Sequence, residues 1–161
     1  MNDDTPKLRV KNFHQIHDWL YRGAQPPMDS FAELKSMGVK TVVNLRWRKG
    51  PVDRERARVT ELGMTFIHIP LNYWTLPNRA NVDEFLEVLD KEELRPFFVH
   101  CLHGADRTGI LFAMYRILRC QWSLKQAYDE MVRCGFHRLA TRHFKWALWR
   151  MVAQNRERTK V

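Results

Sequence analysis

The sequence predicts an α/β fold built on a largely parallel central sheet covered by helices on both faces. Short β-rich apolar runs alternate with stretches of helical periodicity through most of the chain. The C-terminal part then turns wholly helical. Between the two lies a polar, glycine-containing loop, placed where a strand gives way to a helix.

The elements follow in order. From Phe13 to Arg22 aromatic and β-branched residues mix, and Gly23, Pro26 and Pro27 enforce a break, which predicts short strands. Phe31 and Leu34 give residues 28–37 a helical spacing that Gly38 can cap, and Val39 to Leu45 reads as a buried strand. A charged helix from about Val52 to Leu62 stops at Gly63, and Thr65 to Ile69 supplies the next strand. Asn81 is the expected N-cap of a helix whose apolar face is Val82, Phe85, Leu86 and Leu89, with Phe97-Phe98-Val99 as the strand after it. Beyond the loop, Ile110, Leu111, Met114, Ile117 and Leu118 form a helical stripe from near Arg107. Ser123 and Gln126 resemble a capping box that opens the next helix. A last helix runs from near Thr141 into the 150s, with Phe144, Ala147, Leu148, Met151 and Val152 turned inward.

At 161 residues the chain suits one compact domain, 1–161, with loose segments expected at 1–10 and 155–161. A net charge of +9 favours anionic partners: phosphorylated substrates, an acidic membrane surface or nucleic acid, although no nucleic-acid signature accompanies the charge. Much of the excess falls late, from Arg133 to Lys160, and reads as a solvated helix face. Three cysteines, an odd count without short-range pairing, argue against a disulfide framework and favour a reducing compartment, the cytoplasm by default. Cys120 and Cys134 read as helical packing residues. No apolar run reaches membrane-spanning length, and the first residues lack the apolar stretch of a signal peptide.

Residues 100 to 109 read HCLHGADRTG. A tight strand-to-helix loop aims successive backbone N–H groups into one concavity, and the helix N-terminus behind it adds partial positive charge. Leu102, His103, Gly104, Ala105, Asp106 and Arg107 are the expected phosphate cradle, Gly104 for the bend and Arg107 for a planar fork matched to two phosphoryl oxygens. The same field favours the thiolate of Cys101 over the thiol. The expected chemistry is in-line attack of Cys101 on phosphorus, a phosphocysteine intermediate and its hydrolysis, with neither metal nor cofactor. Thr108 is expected to donate its hydroxyl to the Cys101 sulfur, and His100 to order the loop.

On these residues the sequence resembles the protein tyrosine phosphatase superfamily, and more narrowly its small dual-specificity-like branch, whose signature is His-Cys, five residues, then Arg-Ser/Thr. LYRGAQP and GVKTVVNLR upstream and QAYDEM downstream extend the likeness over about residues 13 to 137. The resemblance implies a mixed sheet flanked by helices and a general-acid aspartate on a loop upstream of the signature. The corresponding stretch has Asn72 near that place and no carboxylate before Asp83, which is expected in the first turn of a helix. Asp106 is therefore the candidate acid, with anchoring of the loop, or pairing with Arg46, as its alternative. A loop aspartate is similar to that of myotubularin-like phosphoinositide phosphatases. Phosphorylated protein, lipid or inositol substrates thus all remain in view, with Arg46, Tyr73, Trp74 and His103 as the candidate rim. A phosphate-binding module without turnover is the non-enzymatic alternative.

Overall fold

The computed structural model describes residues 8–158. Its sheet has five strands: β1 (His14–His17), β2 (Leu20–Gly23), β3 (Thr41–Asn44), β4 (Thr65–His68) and β5 (Phe97–His100), in the order β1-β2-β5-β3-β4. Only the β1–β2 pair is antiparallel, so the sheet is mixed but mostly parallel. β5 lies between β2 and β3, where both edges are paired and Phe97, Phe98, Val99 and His100 are all buried. That burial explains a run without polar alternation.

Alternation along the strands then sorts the helices. Leu20, Val43, Phe97 and Val99 pack into one core with the helices α3 (Arg79–Leu89), α4 (Arg107–Arg119), α5 (Leu124–Arg133) and α6 (Arg142–Arg158). Tyr21, Val42 and Phe98, one residue out of phase, face the smaller core of α1 (Ser30–Ser36) and α2 (Lys49–Glu61), which contribute Phe31, Leu34 and Val59. Both faces are covered, as the alternating pattern predicts.

Several boundaries move. α2 begins at Lys49, three residues earlier than expected, because Pro51 is tolerated within a first helical turn. The N-cap of α3 is Asn78, not Asn81: Asn78 Oδ1 accepts from the Asn81 N–H and Asn81 Oδ1 accepts from the Asn78 N–H, both at 3.1 Å. Asp83 consequently leaves the first turn, which has no acidic residue, and pairs with Arg79 Nε at 2.7 Å. The expected Ser123–Gln126 capping box is present, and all five inward residues named for α6 are buried. Cys120 and Cys134 occupy the C-caps of α4 and α5, outside the helical spans.

Residues 1–7 and 159–161 of the expected loose segments lie outside the described residues. Of the described remainder, Val10 is buried against Gly23 and Phe98, and α6 continues through Arg158. No helix among the described residues is long and apolar enough to cross a membrane.

Candidate active site

Residues 101–106 join β5 to α4, at the carboxyl end of the central strand and the N-terminus of a helix of thirteen residues. Three loop carbonyls are held by donors from earlier in the chain. Leu102 O accepts from the Gln25 N–H at 3.1 Å, His103 O from Asn12 Nδ2 at 3.1 Å, and Gly104 O from Arg22 Nη2 at 2.9 Å. In a trans peptide the following N–H points opposite the carbonyl. The amides of His103, Gly104 and Ala105 are therefore turned away from those donors, toward the inside of the loop.

Gly104 has φ +67, and a Cβ there would stand 2.4 Å from the Gly23 carbonyl carbon and oxygen. Glycine is needed both for the left-handed backbone and for the approach to β2. Arg22, which sequence reading passed over, is fully buried; its guanidinium carbon sits 4.9 Å from the Phe112 ring centroid. Burial, the largest influence, pushes its pKa below the usual arginine value. The available signal was a charged residue among the apolar positions of a strand. Asn12 at positive φ also donates to Cys134 O at 2.9 Å and so ties the loop to the end of α5.

Cys101 is 2% exposed at the foot of the loop. Arg107 is buried at the first position of α4, with Nη1 3.5 Å from Leu71 O and its guanidinium carbon 5.7 Å from the Tyr73 ring centroid. Thr108 is fully buried, and its hydroxyl has no hydrogen-bond partner among the described residues. His100 does not approach the cleft; it lies below the loop against Glu55. Asn72 accepts from the Trp74 N–H at 2.9 Å and so shapes the 72–74 turn. Arg46, whose pKa is lowered by partial burial and then by the Arg107 charge, lines a cleft of about 280 Å³ with Trp47, Arg48, Tyr73, Leu102 and His103.

Asp106 finds partners that no expectation named. Its carboxylate accepts from the His137 N–H at 3.0 Å, His137 Nδ1 at 2.9 Å and Thr141 Oγ1 at 2.9 Å, and it is 3% exposed. It bonds to the α5–α6 connection, not to Arg46. That partnership spans more than thirty residues and leaves no local trace in the sequence. From the same side, His143 of α6 bonds Tyr73 O at 3.0 Å, so the C-terminal helix also braces the rim.

A mixed, mostly parallel sheet with a cysteine-bearing loop at the end of its central strand places the molecule in the protein-tyrosine-phosphatase-like class of folds. The crystal structure of Pseudomonas aeruginosa TpbA in complex with pTyr superposes with a TM-score of 0.72 at 26% identity, over 85% of this chain and 82% of that one. Residues 9–146 match the family described as DSP-PTPase phosphatase fused to NAD+ kinase, and the chain belongs to that family. It is 35% identical to the dual specificity protein phosphatase TpbA of Pseudomonas aeruginosa over 129 residues, 78% of this chain and 55% of that protein. Against the inositol diphosphatase DSP4 of Arabidopsis thaliana it is 30% identical over 128 residues, 76% of this chain and 63% of that protein. The chain thus spans little more than half the length of the curated relatives it matches.

Proposed function

We propose that the protein is a cysteine-dependent phosphomonoesterase of the tyrosine and dual-specificity type. The observation that carries the reading is the set of bonds from Gln25, Asn12 and Arg22 to the carbonyls of residues 102–104, which turns three amides toward the space above Cys101. Phosphoryl oxygens fit that concavity, with Arg107 closing it as a fork. The Cys101 thiolate attacks phosphorus and the ester P–O bond breaks. Water then cleaves the phosphocysteine, releasing inorganic phosphate and restoring the thiolate, with Thr108 as the nearest hydroxyl in sequence to support the departing sulfur.

Asp106 is better suited to bracing the cradle than to giving up a proton, because its carboxylate oxygens are taken up by the His137 N–H, His137 Nδ1 and the Thr141 hydroxyl. Residues 72–78 also hold no carboxylate. The site is thereby best suited to leaving groups that depart without a proton, such as a phenolate. This agrees with the crystal structure of the relative TpbA in complex with pTyr.

Arg46, Arg48 and His103 beyond the cradle favour a second reading, an inositol phosphate or phosphoinositide that carries more than one anionic group. Three free thiols support a reducing compartment, for which the cytoplasm is the natural candidate. The deciding experiment measures phosphate release under reducing conditions from aryl phosphates, phosphotyrosine peptides, inositol polyphosphates and phosphoinositide vesicles. Cys101→Ser should lose essentially all release and Arg107→Lys should lose about a hundredfold or more. Failure of the wild type on every substrate would overturn the proposal. In the same panel Asp106→Asn should lower rates by a similar factor for good and poor leaving groups, together with the thermal midpoint. A loss confined to poor leaving groups would instead make Asp106 the acid.

A further inference from the structure

The parallel strands give the sheet two ends of different character. At the mouth of the cleft, the loops that follow β3, β4 and β5 each hold an apolar side chain out in solvent, Trp47, Trp74 and Leu102, and all three line the cleft beside Arg46 and Arg48. The α5–α6 connection adds Leu139, two residues beyond His137, whose ring meets the His103 ring edge-on at 5.8 Å. Exposure runs from 42% at Leu102 to 89% at Leu139. Single exposed apolar residues are ordinary on a protein surface, but their gathering at the tips of separate loops around one opening is not.

The same segments are cationic. Residues 45–52, 70–82 and 131–156 contain neither aspartate nor glutamate, yet they supply Arg46, Arg48, Lys49, Arg138 and Arg142. Arg48, Lys49, Arg138 and Arg142 are exposed and make no salt bridge among the described residues. The carboxylates behind the loop, Glu55 and Asp106, are buried and bonded, the first to His100 and Gln25 and the second to His137 and Thr141. At the opposite end of the sheet the segment that enters β5 carries exposed Asp90, Glu92 and Glu93. Tryptophan settles at the boundary of water and hydrocarbon, and arginine and lysine settle against anionic head groups. A soluble acidic peptide would satisfy the cations but leave the apolar tips of several loops in water. A bilayer surface is broad enough to take both.

We propose that this end of the molecule docks on an anionic bilayer, with Trp47, Trp74, Leu102 and Leu139 entering the interface and Arg48, Lys49 and Arg138 against the lipid phosphates, so that the cleft opens onto the membrane. The docking stands on the surface alone. Its use, the presentation of a phosphorylated lipid head group to Cys101, rests on the phosphatase reading in its phosphoinositide form.

The test is co-sedimentation of the full chain with vesicles of phosphatidylcholine alone and with about 30% phosphatidylglycerol, with tryptophan emission recorded on the same samples. Phosphatidylglycerol carries no phosphomonoester, so binding is read without turnover. Wild type should bind the anionic vesicles at least about tenfold more tightly than the neutral ones, with emission moving to the blue as indoles leave water. Trp47→Ser combined with Trp74→Ser should weaken that binding about tenfold and abolish the emission shift, and Arg48→Gln combined with Arg138→Gln should weaken it by a similar factor. Leu139→Ser should weaken it severalfold, and it decides the matter if the tryptophan variant does not fold by circular dichroism. Equal binding to both vesicles, or folded variants lacking the apolar tips that bind as wild type does, overturns the inference. An emission shift caused by a phosphotyrosine peptide and not by vesicles assigns the surface to a peptide and overturns it as well. A wild type that docks but releases no phosphate from any substrate counts against the phosphatase reading and leaves the docking in place.

Discussion

At the residue scale the loop is specified by a few side chains with nothing to spare. Gly104→Ala places a Cβ against the backbone of Gly23 and strains a left-handed residue, so activity should fall at least tenfold while the sheet remains folded. Turnover of an aryl phosphate alongside circular dichroism checks both halves of that statement. Glu55 makes a second prediction. A carboxyl held below its ordinary 4.5 contributes stability that is fully present above that value and is lost as the pH falls through the lower folded-state value. Urea midpoints measured from about pH 7 down to about pH 3 should therefore fall more steeply for wild type than for Glu55→Gln. Cys101, Gly104 and Arg107 were legible because their chemistry and spacing lie within one short run. Asn12, Arg22, Gln25, Glu55 and Thr141 were not, because each reaches the loop through a fold that sequence spacing does not encode.

At the element scale the caps are the clearest local signals. Asn78→Ala removes the box that starts α3 and should cost about 1 kcal/mol, as should Ser123→Ala at α5. Thermal or urea unfolding reads both. The Ser123 box was readable from its sequence, whereas Asn78 was masked by an equally plausible asparagine three residues on, and only the extended backbone at 78 separates cap from first turn. Helix faces were read more reliably than helix ends: Phe144, Ala147, Leu148, Met151 and Val152 repeat with the helical period and all are buried. The basic side of α6 is not simply solvated. Lys145 lies over the rings of Tyr128 and Trp149, at 5.3 and 5.2 Å, and Arg142 lies 5.7 Å from the Trp146 centroid. The charged head groups of Lys145 and Arg142 lie over aromatic rings there, a use that charge counting does not register.

Across the whole molecule the alternation of strands and helices, and the covering of both sheet faces, could be read from apolar periodicity alone. The order β1-β2-β5-β3-β4 could not, since parallel neighbours are paired through crossovers that leave no mark in local sequence. A net charge of +9, with Arg46 and Arg48 lining the cleft, implies a long-range attraction for anions. The KM for an inositol polyphosphate should accordingly rise severalfold between about 0.05 and 0.3 M salt, and more steeply than that for an aryl phosphate. Equal slopes for the two would show that the rim arginines do not contribute to substrate capture.

The bonds from Asp106 to His137 and Thr141 carry a consequence for the order in which the molecule is made. A ribosome delivers β5 and the loop well before it delivers the residues that fasten them. Until about the start of α6 has emerged, the nascent chain holds its cysteine in an unfinished loop. Ability to bind phosphate should then arise late and abruptly during synthesis, on arrival of the Thr141 hydroxyl rather than of the signature itself.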